Sequence, residues 1–125
     1  MLVDTDVLVW LFRGRESARA FVADAGTVEL SAVTYMELAQ GVRNKEELAL
    51  LRRAVRLGGW QVVPLTEPIS LRAIGLVEAY ALPHGMRLAD ALVAATALER
   101  DQALATANAR HYRFVPGIRL QRYRQ

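Results

Sequence analysis

The chain has 125 residues and a mass of 13.9 kDa, with 53% hydrophobic and 23% charged residues, which suits one folded domain and is too apolar for a disordered segment. The absence of cysteine excludes a disulfide scaffold, a thiolate metal site and a cysteine nucleophile, and it fits a reducing, cytoplasmic setting. Net charge is +3, and the basic residues are all arginine except Lys45, a bias whose planar forks suit phosphate.

In chain order, Met1–Val3 is a short apolar run ending at Asp4, and Asp6–Phe12 suits a helical turn capped by an aspartate. The opening MLVDTDVLVWLF lacks a basic leader and reads as core structure rather than a signal peptide. Glu16–Ala25 is helical and stops at Gly26, and Thr27–Leu30 is a short β-type run. Ala32–Val42 suits a helix that breaks near Gly41, and Lys45–Leu57 continues as an amphipathic helix ended by Gly58 and Gly59. Trp60–Leu65 alternates like a strand, Glu67–Tyr80 is helical after the Thr66–Pro68 start, and Leu82–Gly85 forms a turn. Leu88–Glu99 is a helix, Ala103–Thr106 a small-residue strand, and Ile118–Leu120 a further strand after the Pro116-Gly117 turn.

No repeat, linker or low-complexity stretch divides the chain, so a single domain over residues 1–125 is expected. No apolar run reaches the roughly 18 residues of a bilayer span, so no membrane association is expected. Strands separated by helices imply crossover connections, hence an α/β fold with a mostly parallel sheet covered on both faces. Ligands in such sheets bind beyond the carboxyl ends of the strands, where this chain places mainly acidic groups.

Most acids sit where solvated charges belong, but Asp4, Asp6, Glu37 (within SAVTYMELA) and Asp90 (within MRLADALVAATAL) are flanked by apolar residues. An unpaired carboxylate there costs several kcal/mol or is driven to its neutral form. A shared divalent cation answers that cost, because Mg²⁺ and Mn²⁺ prefer carboxylate oxygens, and such an ion activates water for in-line attack on phosphorus. Plainer roles are open for each residue. Asp4 or Asp6 suits a helix cap, Glu37 follows Thr34 at capping-box spacing, and Asp90 follows Arg87 at i−3 pairing distance. The closing stretch from Arg110 to Gln125 holds Arg110, Arg113, Arg119, Arg122 and Arg124 with no acid, either a local basic field or a solvated tail.

The opening LVDTDVLVWLF, the internal SAVTYMELAQGV, the helix RLADALVAATALE and the closing LATANARHYRFVPGIRL together resemble the PIN-domain ribonucleases, specifically the VapC toxins of bacterial toxin–antitoxin pairs, along the whole chain. The resemblance implies a three-layer α/β/α sandwich and a Mg²⁺- or Mn²⁺-dependent endoribonuclease restrained by a VapB-like antitoxin, with a homodimer as the usual state. It maps the family acids onto Asp4, Glu37 and Asp90 as catalytic and metal-binding residues, with Asp6 secondary. Where many relatives carry a further acid after a Thr-x-Asn element, this chain has Asn108 and His111, which puts a full second metal site in doubt. Arg87, Asn108 and His111 are the expected substrate contacts. The expected substrate is a structured RNA, such as tRNA or rRNA, with an exposed single-stranded segment. Trp10, Tyr35 and Trp60 are expected in core or interface.

Two other readings compete. A haloacid-dehalogenase-like phosphatase shares the strand-DTD start, but the chain has neither a DD nor a GDxxxD motif, and the absence of GxxxxGK removes a P-loop nucleotidase. A non-catalytic RNA-binding module of the same fold is the alternative from another class, opposed by the joint presence of Asp4, Glu37 and Asp90.

Overall fold

Five short strands, β1 (Leu2–Val3), β2 (Glu29–Ser31), β3 (Gln61–Val63), β4 (Leu104–Thr106) and β5 (Leu120–Arg122), pair in parallel in the order β3-β2-β1-β4-β5. The computed structural model describes residues 1–124, so Gln125, the last position of the expected domain, lies outside the described residues. Each parallel step needs a crossover, and six helices supply those up to β4: α1 (Thr5–Phe12), α2 (Glu16–Asp24), α3 (Ala32–Gln40), α4 (Lys45–Gly58), α5 (Glu67–His84) and α6 (Leu88–Glu99), while a 3₁₀ turn at Ala109–His111 and its flanking loop join β4 to β5.

The strand period of two divides the core. Leu2 and Leu104 face a cluster with Ile69, Ala73 and Leu76 of α5 and Ala91, Val93, Ala94 and Ala97 of α6. Val3 and Ala105 face the other cluster, with Val7 and Leu8 of α1 and Ala18 and Val22 of α2. The result is the expected α/β/α sandwich, and β1, fully buried, is its centre. The sequence leaves β1 toward β2 on one side and reaches β4 on the other, so the carboxyl ends of β1 and β4 form the switch point where such sheets hold ligands.

Local signals explain most boundaries. Ser31 caps α3 by accepting from the Val33 amide, Asn44 caps α4 through Glu47, and Thr66 caps α5 through Ile69. Three expectations are corrected. The Leu82–Gly85 segment is the last turn of α5, which continues through Pro83 at the loss of one intrahelical bond until Gly85, at φ 67°, closes the helix by donating to Ala81. The final strand is Leu120–Arg122 rather than Ile118–Leu120, since pairing with β4 sets its register. Thr34 caps nothing, being inside α3, so Glu37 is not part of a capping box.

Candidate active site

Asp4 leaves β1 and caps α1. Its Oδ1 accepts from the Thr5 amide at 2.9 Å, while Oδ2 accepts from the Thr106 hydroxyl at 3.0 Å and the Tyr112 hydroxyl at 2.9 Å. The capping role and the site role therefore coexist, one on each oxygen. Only 8% of Asp4 is exposed. Burial first, and the Asp6 charge second, push its carboxyl from 3.8 up to about 7, against the opposing hydrogen bonds.

Asp6, in the first turn of α1, turns toward the loop after β4. Its Oδ2 accepts from the Asn108 side-chain amide at 2.7 Å, the Ala107 backbone amide at 3.1 Å and the Thr106 hydroxyl at 3.3 Å. Its Oδ1 is buried with no hydrogen-bond partner. Burial raises this carboxyl as well, against the pull of the backbone amides of Ala107 and Val7.

Asp90 lies in the first turn of α6. Its Oδ1 receives the Tyr112 hydroxyl at 3.2 Å, and its Oδ2 lies 3.6 Å from Nδ1 of the half-exposed His111. Tyr112 is fully buried, and burial together with the charges of Asp4 and Asp90 drives its phenol well above its ordinary range, so it acts as a proton donor to the acids. Glu37 stands apart on the exposed side of α3, where its Oε1 accepts from the Thr5 hydroxyl at 2.7 Å, next to the buried Thr34 hydroxyl.

The structure thus brings Asp4, Asp6 and Asp90 to one place through Thr106 and Tyr112, with Glu37 attached through Thr5. Asp6, expected to be secondary, is as well connected as the others. The Asn108 amide is engaged by Asp6. Arg87 is exposed at the N-cap of α6 and makes no ion pair with Asp90 among the described residues. Glu37 is exposed, contrary to the apolar setting its neighbours suggest, whereas Glu29 is a buried acid that the sequence did not single out, held by Arg100 at 2.7 Å. Tyr112 was also missed, because an aromatic residue in a loop gives no local sign of what its hydroxyl reaches. Trp10 and Trp60 pack partly buried against the α1 side, under Arg15 and beside Phe12 respectively.

Among the described residues no three acidic or histidine side chains are already drawn together at metal-cluster spacing. The chemistry of the donors nevertheless fits a hard divalent cation. They are carboxylate and hydroxyl oxygens, two of the carboxyls are disfavoured as anions by burial, and Asp6 Oδ1 is a buried acceptor with nothing to accept.

A family model described as PIN domain matches residues 1–115. Ribonuclease VapC10 of Mycobacterium tuberculosis is 37% identical over 116 residues, covering 90% of this chain and 85% of that protein. Ribonuclease VapC19 of the same organism is 33% identical over 122 residues, covering 94% and 95%. Among solved structures, a toxin–antitoxin complex from Klebsiella pneumoniae matches with a TM-score of 0.76 at 26% identity over 94% of this chain and 93% of that one. VapBC2 from Rickettsia felis, bound to a promoter DNA fragment, shares the fold with a TM-score of 0.78 at 18% identity over 98% of both chains.

Proposed function

The chain belongs to the PIN domain family, and on that premise we propose that it is the VapC-type toxin of a toxin–antitoxin pair, a Mg²⁺- or Mn²⁺-dependent endoribonuclease that hydrolyses RNA phosphodiester bonds. The observation that carries this reading is the convergence of Asp4, Asp6 and Asp90 at the carboxyl ends of β1 and β4, with one buried oxygen left unpartnered. The ribonuclease names of relatives covering most of the chain supply the substrate class.

Asp4 and Asp90 would hold the cation, with Asp6 as a further carboxylate donor and Glu37 acting directly or through water. Bound there, the ion supplies Lewis-acid polarisation of the phosphate and a more acidic water. The protein's own groups do the rest. Thr106 and Tyr112 donate to the carboxylates and fix their oxygens, and Asn108 holds Asp6 in place rather than reaching for substrate. Thr5 occupies Glu37 Oε1, leaving Oε2 to take a proton from the attacking water. His111 and Arg87, both exposed, would contact the scissile phosphate.

A VapB-like antitoxin is the proposed partner. A groove of about 610 Å³ between α1, α3 and α4, lined by Val9, Phe12, Leu38, Val42 and Leu50, reaches Glu37 and offers an apolar segment a place beside the acids. Exposed Leu71, Ile74 and Leu82 on α5 support pairing of two copies. A structured RNA such as tRNA or rRNA, and a cytoplasmic location, complete the proposal. Among the described residues no helix is long and apolar enough to cross a membrane.

The test is incubation of purified protein with total RNA, with Mg²⁺, with EDTA, and as Asp4→Asn. Cleavage that needs both the metal and Asp4 is expected. RNA left intact under every condition would leave the non-catalytic module standing in its place.

A further inference from the structure

On one flank of the acidic site, four arginines surround an open cavity of about 350 Å³. Arg110 and Arg113 come from the 3₁₀ turn at Ala109–His111 and the residues just after it, and Arg122 and Arg124 from the end of β5. All four are exposed, and none lies within ion-pair distance of a carboxylate among the described residues, so that four unpaired guanidinium groups line a single cavity. Guanidinium groups gathered without an acid repel one another, an arrangement that favours an anionic occupant.

The cavity is built rather than a loose tail. Tyr123 is buried between Arg122 and Arg124, its hydroxyl 2.7 Å from Ser17, its ring against Phe21 and its amide on the Thr106 carbonyl. Arg122 and Arg124, its neighbours on either side, line the cavity with it. Ala107 and Asn108 line the same cavity, and these are the two residues whose amides hold Asp6 Oδ2. One wall therefore separates the basic cavity from the acids.

We propose that this cavity is a phosphate-binding track for single-stranded RNA, in which Arg110, Arg113 and Arg122 grip backbone phosphates on one side of the scissile bond and lead the strand past Asn108 to the carboxylates. The inference rests on the ribonuclease reading for its substrate. Acids alone repel a polyanion, and the track supplies the opposing field at a fixed distance from them. Its contacts read charge and not bases, so it fixes register along the strand rather than sequence.

The experiment is binding of a fluorescein-labelled oligouridylate to the full chain in EDTA across a salt series. The Arg110→Ala/Arg113→Ala/Arg122→Ala variant is expected to bind at least about tenfold more weakly at ~0.1 M salt, with a log–log salt slope shallower by about two, from about 0.7 per lost contact to a single strand. The corresponding triple lysine variant keeps the slope, since it keeps the charge. Unchanged affinity and slope in the folded alanine variant overturns the track, as does an equal loss in the lysine variant, or a loss seen with duplex DNA and not with the oligouridylate. Binding as expected in a protein that leaves all RNA intact with Mg²⁺ removes the nuclease reading and keeps the track. Mg²⁺-dependent cleavage with unchanged KM in the alanine variant does the reverse.

Discussion

Asp4 and Asp90, at the end of the first strand and in the first turn of α6, share a single hydroxyl group, that of Tyr112, at 2.9 Å and 3.2 Å. One proton serves two acceptors, so at any instant one carboxylate faces only the lone pairs of the phenol oxygen. Tyr112→Phe keeps the buried ring and removes that donor. The expected result is a loss of about 1–2 kcal/mol in stability near pH 8, above the pKa of about 7 at Asp4. An approximately tenfold fall in kcat with little change in KM should accompany it, because the carboxylates lose their positioning and not the RNA its contacts. Thermal unfolding and steady-state cleavage measure the two, and wild-type values in both would make the hydroxyl a bystander.

Asp4 gives the stability curve a definite sign. Its folded pKa of about 7 stands above the ordinary 3.8, so between those values the native state keeps a proton that the unfolded chain has released. Stability from this group is fully present below about pH 4, declines as pH rises through 7 and is flat above, a fall of a few kcal/mol at most. The raised carboxyl of Asp6 acts in the same direction. Comparing melting temperatures of wild type and Asp4→Asn across pH isolates the effect from other acids. A divalent cation competes with the proton, so Mn²⁺ should raise the melting temperature at pH 8 and much less at pH 5. No stabilisation by Mn²⁺ at pH 8 would falsify the cation site.

Asp6 separates anchoring from ion binding. All of its hydrogen bonds reach Oδ2, and its Oδ1 has none. In Asp6→Asn the remaining carbonyl oxygen can keep the bonds from Ala107 and Asn108, while the charge facing Asp4 is gone. The metal-free protein should therefore be as stable as wild type or slightly more so at pH 8. Mn²⁺ affinity, read by calorimetric titration, should fall about tenfold or more. A variant that loses stability and keeps its Mn²⁺ affinity would show that Asp6 only ties the loop down.

Which parts were legible follows from how far each partner lies along the chain. Asp4 and Asp90 stand out because a carboxylate in an apolar run is costly wherever the run folds, and the caps and Gly85 act through neighbours. Glu37 stood out by its apolar neighbours as well as by the family pattern, yet that local setting misled, since α3 turns it outward to Thr5. Tyr112 and Asn108 reach acids 108 and 102 positions away, and only the placement of β4 beside β1 creates those contacts. The last strand was displaced for the same reason, its register being chosen by β4 rather than by the turn before it. Arg122 consequently lies on an ordered edge and not in a solvated tail.

Glu29 shows a buried acid with a different solution. It is 8% exposed on β2 and meets Arg100, the C-cap of α6, through two bonds of 2.7 Å and 3.2 Å. Since Arg100 is partly exposed, the pair is screened and its net contribution is modest, but removing the arginine alone strands a buried carboxylate. Arg100→Ala should cost about 2 kcal/mol, whereas Glu29→Leu combined with Arg100→Met should cost less than that single change. Asp90 sits at the opposite end of the same helix, so neither variant touches the acids, and cleavage per folded molecule should stay at the wild-type level while the urea midpoint moves. A single variant no less stable than the double would show that the carboxylate finds water instead, and that this end of α6 is looser than its packing implies.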